Sequence, residues 1–481
     1  MPDPISTFTN FAPAIAEIYL GLAVCVLLMV DVFVGERRPG LTPTLTLFIL
    51  VIGAALLLAF GQTGSRVTLF NGMFVSDPLA VVLKLAAFLF LAVTLLYSRS
   101  YMEQRGTVRG EYYVLSLTAL LGIFVLVSAN SLLTVYIGVE LLALSVYAII
   151  AFDRENPIAA EAAIKYFVLS AIASGALLYG MSMIYGLTGT LSLDELAAHL
   201  HAPLSQGVIL GLVFIVVAVA FKMGVVPFHM WLPDVYHGAP TSVTLLISTV
   251  PQVAYFSLVF RLLTYGLHGA TLDWAQMLTP LAVLTLVIGN VVAIAQSNLK
   301  RMLAYSTIGN VGFIILGFIT GTAAGYSAAL YYTLVYALTV LGSFGVILLA
   351  SRKGFEADEL DHYKGLYARD PLLALVMLML MFSTAGVPPF IGFWAKLRIF
   401  QELWATHHLW LVMIAAAMSV VGAFYYLRIV KLMYFDAPPE DLPATTRSSG
   451  VRLTLAINAF AVIVLGVVAD PLLALCAQLL H

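Results

Sequence analysis

Apolar residues in this chain do not alternate with polar ones; they run in long blocks divided by short polar punctuation. A block of about 20 apolar residues crosses the hydrocarbon layer of a bilayer as a helix. Fourteen such blocks are expected, at 14–34, 41–60, 75–98, 111–128, 131–151, 162–186, 207–230, 241–265, 275–296, 302–320, 326–350, 371–400, 408–434 and 453–478. The pattern predicts an all-α polytopic membrane protein. Between the blocks only 187–206, 351–370 and 435–452 are long, and none is large enough to fold alone. The first of these, LTGTLSLDELAAHLHAPLSQ, predicts a turn and then a short surface helix capped by Ser192, with Glu195 three residues on.

Two blocks are interrupted. Val208 to Phe221 runs without a charge, then Lys222 appears, and the helix is expected to break at Gly224 and Pro227. An aromatic, polar tail follows, with His229, Trp231, Asp234 and His237. The phrase returns 162 residues later, where Gly224-Val225-Val226-Pro227-Phe228 is matched by Gly386-Val387-Pro388-Pro389-Phe390. Each copy has a tryptophan nearby (Trp231, Trp394) and a flanking lysine (Lys222, Lys396). Upstream, AAIKYFVLSA at 162–171 faintly echoes AALYYTLVYA at 328–337. A repeat offset by five helices must run the opposite way through the membrane. The expected organisation is an N-terminal trio of helices at 1–110, two inverted five-helix repeats at 111–265 and 275–434, and a loop and last helix at 435–481. The bland alternative is that the phrase is a common way to kink a membrane helix.

Composition agrees with the hydrophobic pattern. Of 481 residues, 62% are hydrophobic and 10% charged, against about 25% charged in a soluble domain. A net charge of −2 leaves no basic stripe for a nucleic-acid partner, so the lipid bilayer is the expected environment. Sixteen of the twenty-three lysines and arginines fall in the odd-numbered connections: Arg37, Arg38, Arg99, Arg105, Arg109, Arg154, Lys300, Arg301, Arg352, Lys353, Lys364, Arg369, Arg428, Lys431, Arg447 and Arg452. The even connections hold little beyond Arg66. The positive-inside rule then places the odd connections in the cytoplasm and both termini on the periplasmic side. The start, MPDPISTFTNFAPAIAEIYL, lacks a basic n-region, so no cleaved signal peptide is expected. Cys25 and Cys476 form no CxxC pair, which argues against haem attachment, iron–sulfur and structural zinc sites.

The remaining charges lie inside the apolar blocks, where an ionised group costs several kcal/mol unless it has a partner or water. Glu140 is flanked by uncharged residues from Ser131 to Phe152. Glu161 and Lys165 stand four apart, in the favourable order for a helix ion pair. Lys84 and Arg261 are within reach of a surface and are expected to snorkel. Lys396 follows the second break, with Arg398 beside it. Desolvation disfavours a charged lysine, which lets such a group take up and release a proton near physiological pH. Glu140 and Lys222 therefore form a candidate proton switch, with Lys165 as a second lysine competing for the glutamate. His229 is a candidate to pass protons on, the alternative being a buried, hydrogen-bonded histidine. The bland reading of all these charges is helix pairing within a scaffold. There is no GxGxxG after a strand, no GxxxxGKS, no HExxH and no EF-hand loop, and no metal site is expected at His229 or Asp234.

Taken together the residues resemble the antiporter-like subunits of respiratory complex I, the proton-pumping NADH:quinone oxidoreductase. The resemblance rests on Ser76-Asp77-Pro78-Leu79, YIGVELLALSVYAI (136–149), EAAIKYFVLSAIASG (161–175), FKMGVVPFHMWLPDVYHGAPT (221–241), QSNLKRMLAYSTIGNVGF (296–313) and GVPPFIGFWAK (386–396). The wording of 161–175 and SLDEL at 192–196 point to the N branch of that family over its L and M sisters. The resemblance implies that Glu140, Lys222 and Lys396 carry the relay and that Lys165 and Glu161 belong to the polar network around it. Lys300 and Asp234 are placed on the same polar axis with Gln252 and Asn310, which stand where a lysine and a histidine are often found. It also implies that this chain is a subunit of a translocase in a bacterial inner membrane, with other antiporter-like and small membrane subunits as partners. No cofactor is expected in this chain; NADH, FMN, iron–sulfur clusters and quinone are expected in partner subunits. A sodium/proton antiporter subunit of the related Mrp type is the alternative.

Overall fold

A computed structural model describes residues 11–439, 445 and 448–480, apart from 36, 39, 154 and 202. The expectation for the first ten residues, and those for Arg154 and Arg447, lie outside the described residues. Nineteen α-helices are described: α1 (Ile15–Val30), α2 (Leu41–Phe60), α3 (Pro78–Arg105), α4 (Gly110–Val127), α5 (Leu132–Ile150), α6 (Pro157–Thr188), the short α7 (Leu193–His199), α8 (Gln206–Met223), α9 (Trp231–Gly238), α10 (Thr241–Leu258), α11 (Thr271–Ile294), α12 (Leu299–Ile319), α13 (Ala323–Ala350), the single turn α14 (Leu366–Arg369), α15 (Pro371–Ala385), α16 (Ile391–Ala405), α17 (Leu409–Phe435), α18 (Ser449–Val467) and α19 (Asp470–Gln478). A small hairpin, β1 (Val67–Leu69) and β2 (Phe74–Ser76), precedes α3.

Thirteen of the fourteen expected spans are helices long and apolar enough to cross a membrane. The twelfth is two fifteen-residue helices, α15 and α16, on either side of Gly386. The seventh ends at Met223 rather than 230, because Gly224 adopts φ 74° and closes α8. The third starts at Pro78 rather than 75, since Asp77 caps α3 by accepting from the Ala80 amide at 2.8 Å. It then runs on to Arg105, so Arg99 and Arg105 sit on a helical extension and not in a loop. The last span stops at Val467, because Val468 leaves the helical region at φ −116°, ψ 66°; the separate α19 starts at Asp470 with Pro471 in its first turn, where a missing amide costs nothing. The short helix at 193–199 is capped by Ser192, whose hydroxyl accepts from the Glu195 amide.

The connections separate to two ends. At one end Arg66 of the second connection pairs with Asp194 (2.7 Å) and donates to Asn130 (2.8 Å), while Tyr265 also reaches Asp194. That joins the even connections. At the other end Arg105 pairs with Glu356, the Leu299 amide donates to Asp358, and Arg452 holds Asp370 through two bonds of 2.6 and 2.7 Å. These are the odd, arginine-rich connections.

Two internal cations depart from expectation. Lys84 and Arg261 do not snorkel: they are 1% and 3% exposed. Lys84 pairs with Glu17, which α1 brings from 67 positions upstream, and lies 5.1 Å from the Phe74 ring. Arg261 sits on a π-helical turn, Val259–Gly266, and grips Asp77 with bonds of 2.7 and 2.8 Å. It also donates to the Val127 carbonyl at 3.2 Å. A partner within reach is cheaper than bending a side chain to the surface through packed helices.

Candidate functional site

Lys222 occupies the last turn of α8 and is 2% exposed. Side chains take up part of the backbone that the break after it frees. Trp231 donates from Nε1 to the Phe221 carbonyl (2.9 Å), and the Val226 amide donates to Thr285 Oγ1 (3.0 Å). Glycine is required at 224 on two counts: its positive φ, and the Leu232 side chain 2.6 Å from where a Cβ would stand. The lysine ammonium donates to Ser170 Oγ at 2.8 Å and to Ser174 Oγ at 3.2 Å. Ser174 in turn donates to Glu140 Oε1. The structure thus brings Glu140 and Lys222 together, with a serine between them.

Lys396 is the corresponding cation of the second break. It is 7% exposed, donates to the Ala385 carbonyl at 2.9 Å and to Ser419 Oγ at 3.1 Å, and lies 5.4 Å over the Phe313 ring. Its ammonium therefore caps the carbonyl end of α15, where a positive charge meets the helix dipole favourably. Gly386 has φ 87° and carries the Lys396 chain against it, 2.9 Å from a Cβ position. Arg398, two residues on, points elsewhere and bonds Gln401. The tryptophans are not equivalent: Trp231 closes its own break, whereas Trp394 donates to Gly466 at the end of α18.

Between the two breaks lies Asn310 of α12. Its amide donates to the Ser306 carbonyl (2.8 Å) and to Tyr426 (3.3 Å), and its oxygen accepts from Tyr332 (2.7 Å). A cavity of about 10 Å³ beside Asn310 reaches Ser383, Thr384, Gly392 and Ala395 at the second break. That is room for about one water. Gln252 is buried on α10 and its amide donates to the Ser248 carbonyl at 3.4 Å. His229 is half-buried, 6.4 Å from the Tyr305 ring, and is not joined to Lys222.

Lys165 does not compete for Glu140. It is exposed on α6 and pairs with Glu161 (2.8 Å) and Asp234 (3.1 Å). Asp234 pairs also with Arg301 at 2.8 Å. Lys300, 3% exposed, donates to the Ala239 carbonyl at 2.6 Å. Neighbouring residues of α12 therefore hold the first turn and the C-terminal cap of α9, the segment that follows the first break. Sequence reasoning missed Ser170, Ser174 and Ser419. The one available signal was small polar residues four apart on α6, a spacing that lets membrane helices approach closely. Among the described residues no group of three or more His, Cys, Asp or Glu is placed to hold a metal ion.

Against known proteins, residues 129–422 match the family model for the transmembrane part of NADH:quinone oxidoreductase and Mrp antiporter subunits. NADH-quinone oxidoreductase subunit N of Thiobacillus denitrificans is 50% identical over 480 residues, 99% of each chain. A chain of respiratory complex I from Thermus thermophilus superposes with TM-score 0.81 at 31% identity, covering 96% of this chain and 99% of that one. A chain of the Mrp complex from Dietzia superposes with TM-score 0.84 over 99% of this chain and 97% of that one, but at 19% identity it shares the fold alone.

Proposed function

The chain belongs to the subunit N family of NADH-quinone oxidoreductases, and on that premise we propose that it moves protons across the membrane through Glu140, Lys222 and Lys396. NADH oxidation and quinone reduction in partner subunits supply the energy, and the redox cofactors reside there. The observation that carries the reading is a buried ammonium reaching a carboxylate through one hydroxyl at the first break, repeated as a buried ammonium at the second. A hydroxyl that donates to one partner while accepting from the other can turn over as the charge moves. Asn310 and the one-water cavity continue the line towards Lys396, with Gln252, His229, Lys300 and Asp234 around it and Lys165–Glu161 at its flank. The arginine-rich odd connections support a cytoplasmic position for that end and periplasmic termini. The matched breaks at Gly224 and Gly386 support two inverted repeats, 111–265 and 275–434. The Mrp reading is weaker, since its sequence likeness is far below that of the oxidoreductase relatives.

The test is Lys222→Ala and Lys222→Arg in the assembled complex, with NADH:quinone turnover and proton uptake read in inside-out membrane vesicles. Both are expected to assemble and to lose most coupled turnover, the arginine because guanidinium does not deprotonate. Full assembly with unchanged pumping in Lys222→Ala would remove the relay and leave a scaffold.

A further inference from the structure

The first span ends in an acid that the relay does not use. Asp31 lies within the apolar stretch Ala12–Gly35, on the π-helical turn Asp31–Gly35 that follows α1 at the odd-connection end. Its carboxylate is fixed from three sides. Thr42 of α2 donates to Oδ1 at 2.7 Å. A Cβ on Gly110, the first residue of α4, would stand 1.6 Å from Oδ1 and 2.1 Å from Oδ2, so only glycine lets that backbone lie against the acid. Gly35 is held to the same limit, with Oδ1 2.6 Å from its Cβ position. Among the described residues no cation pairs with Asp31, and Oδ2 accepts no hydrogen bond. An ionised carboxylate at the edge of the hydrocarbon layer is costly until a cation or water meets it.

A cavity of about 610 Å³ opens beside it, within the range that takes a small molecule. Asp31 and Thr42 line one part of it, and Arg109, exposed at the N-cap of α4, lines another. Glu111, which also lines it, has a contact of its own. The apolar wall is Leu28 and Val32, both exposed on a membrane span, so the cavity is continuous with the acyl layer. Acid, base and apolar wall thus share one space. A basic side chain from a partner would answer the acid and leave the base and the wall. An anionic lipid would answer the base and meet the acid with like charge. A zwitterionic phospholipid answers all three. Its primary ammonium donates to Asp31, its phosphate accepts from Arg109, and its acyl chain lies along Leu28 and Val32.

We propose that the cavity at Asp31 is a binding site for a bilayer phospholipid with a primary ammonium headgroup, of the phosphatidylethanolamine class. The inference is independent of the proton-translocating reading, because its readout is lipid capture and not pumping. The whole complex is reconstituted in vesicles that carry phosphatidylethanolamine with a photoactivatable acyl chain, irradiated, and its lipid adducts are located by mass spectrometry. Phosphatidylcholine and phosphatidylglycerol with the same acyl chain are the comparisons: a trimethylated ammonium cannot donate a hydrogen bond, and a glycerol headgroup has no cation. The expected result is labelling of residues 12–35 that is about fivefold greater with the ethanolamine lipid than with either comparison. It should fall about threefold in Asp31→Asn and in Arg109→Gln, while labelling of α17 stays unchanged. Thr42→Val keeps the charge but frees the carboxylate, and should give a smaller loss. Equal labelling by the three lipids, or ethanolamine labelling unchanged in both charge variants, would overturn the site and leave ordinary boundary lipid. A preference for the glycerol lipid that is lost in Arg109→Gln alone would overturn the ammonium contact. Release of a neighbouring subunit in Asp31→Asn, with labelling unchanged, would assign Asp31 to a basic side chain of a partner. Arg109 is exposed, so Arg109→Gln carries the same test where Asp31→Asn fails to assemble.

Discussion

Lys222 and Glu140 are joined through Ser174, which accepts from the ammonium at 3.2 Å and donates to the carboxylate. A direct pair would hold lysine and glutamate together as a fixed neutral unit. The inserted hydroxyl makes their coupling dependent on one rotor.

Ser174→Ala is therefore expected to leave the fold intact and to uncouple the pair. Hydrogen bonds to charged groups contribute about 1.5–3 kcal/mol. Loss of even the lower figure at the rate-limiting step slows turnover about tenfold. Ser170→Ala should be milder, since Lys222 keeps its contact to Ser174. The measurement is NADH:quinone turnover with proton uptake in vesicles at matched subunit content. Equal activity in the two variants would refute the rotor.

The Asp77–Arg261 pair ties the cap of α3 to the π-helical turn after α10 and is nearly buried, at 13% and 4% side-chain exposure. Asp77→Asn removes half of it and leaves a guanidinium uncompensated, which costs about 3–5 kcal/mol. The expected readout is a lower melting temperature of the isolated complex and reduced recovery of this subunit. Because a buried pair is weak evidence for net stability, Asp77→Leu with Arg261→Met should recover most of the loss. If the double variant melts no higher than the single one, the pair has a role beyond compensation.

What the chain disclosed and what it withheld follow one physical line. An ionised residue in a long apolar run is visible from sequence because its cost has no local remedy, and Lys222, Glu140 and Lys396 were found that way. Both breaks were visible because glycine and proline act on their own backbone. The partners were not visible. Glu17 lies far from Lys84 in sequence, and Asp77 lies 184 positions from Arg261, so both cations were expected to reach for the surface. Ser174 carries no charge and costs little in a membrane helix; its spacing from Ser170 signals close helix approach, but its partners show only when α6 is laid along α8.

Acid should loosen the even-connection end. Burial pushes the Asp194 carboxyl up, but the bonds from Tyr265, Asn130 and Arg66 more than offset it and hold it below the usual carboxylate range. A depressed carboxylate contributes stability that is present above its unfolded pKa and is lost as pH falls through the folded one. The tie between the β1–β2 hairpin segment and α7 is thus intact at neutral pH and fails below about pH 4. Arg66 and Asp194 are each about a third exposed, so the pair contributes roughly 0.5–1 kcal/mol after screening. Hydrogen exchange in 61–76 should quicken about two- to fivefold in Asp194→Asn at pH 7. The same variant should lose the acid dependence; an acid dependence that persists would assign it to another group.

On the proposed relay, Asn310 is the point at which protons would cross from one break to the other. It is held on three sides by Ser306, Tyr332 and Tyr426, and none of these hydroxyls or amides carries a charge at neutral pH. Transfer across this point must then run through hydrogen-bonded water, and the adjacent cavity has room for about one. Asn310→Leu fills the space and removes the amide's donor and acceptor, and is expected to abolish most coupled turnover while Lys222 and Lys396 remain in place. Asn310→His restores a group that can carry the proton itself and should support turnover, with a new inflection in the pH–rate profile near the ordinary histidine range of about 6.5. Asn310→Asp sets the sign of the field: a carboxylate between two buried ammoniums should hold the proton charge at the centre and slow its release. If leucine, histidine and asparagine turn over alike, protons do not pass this residue, and the two breaks work as separate half-paths rather than one line.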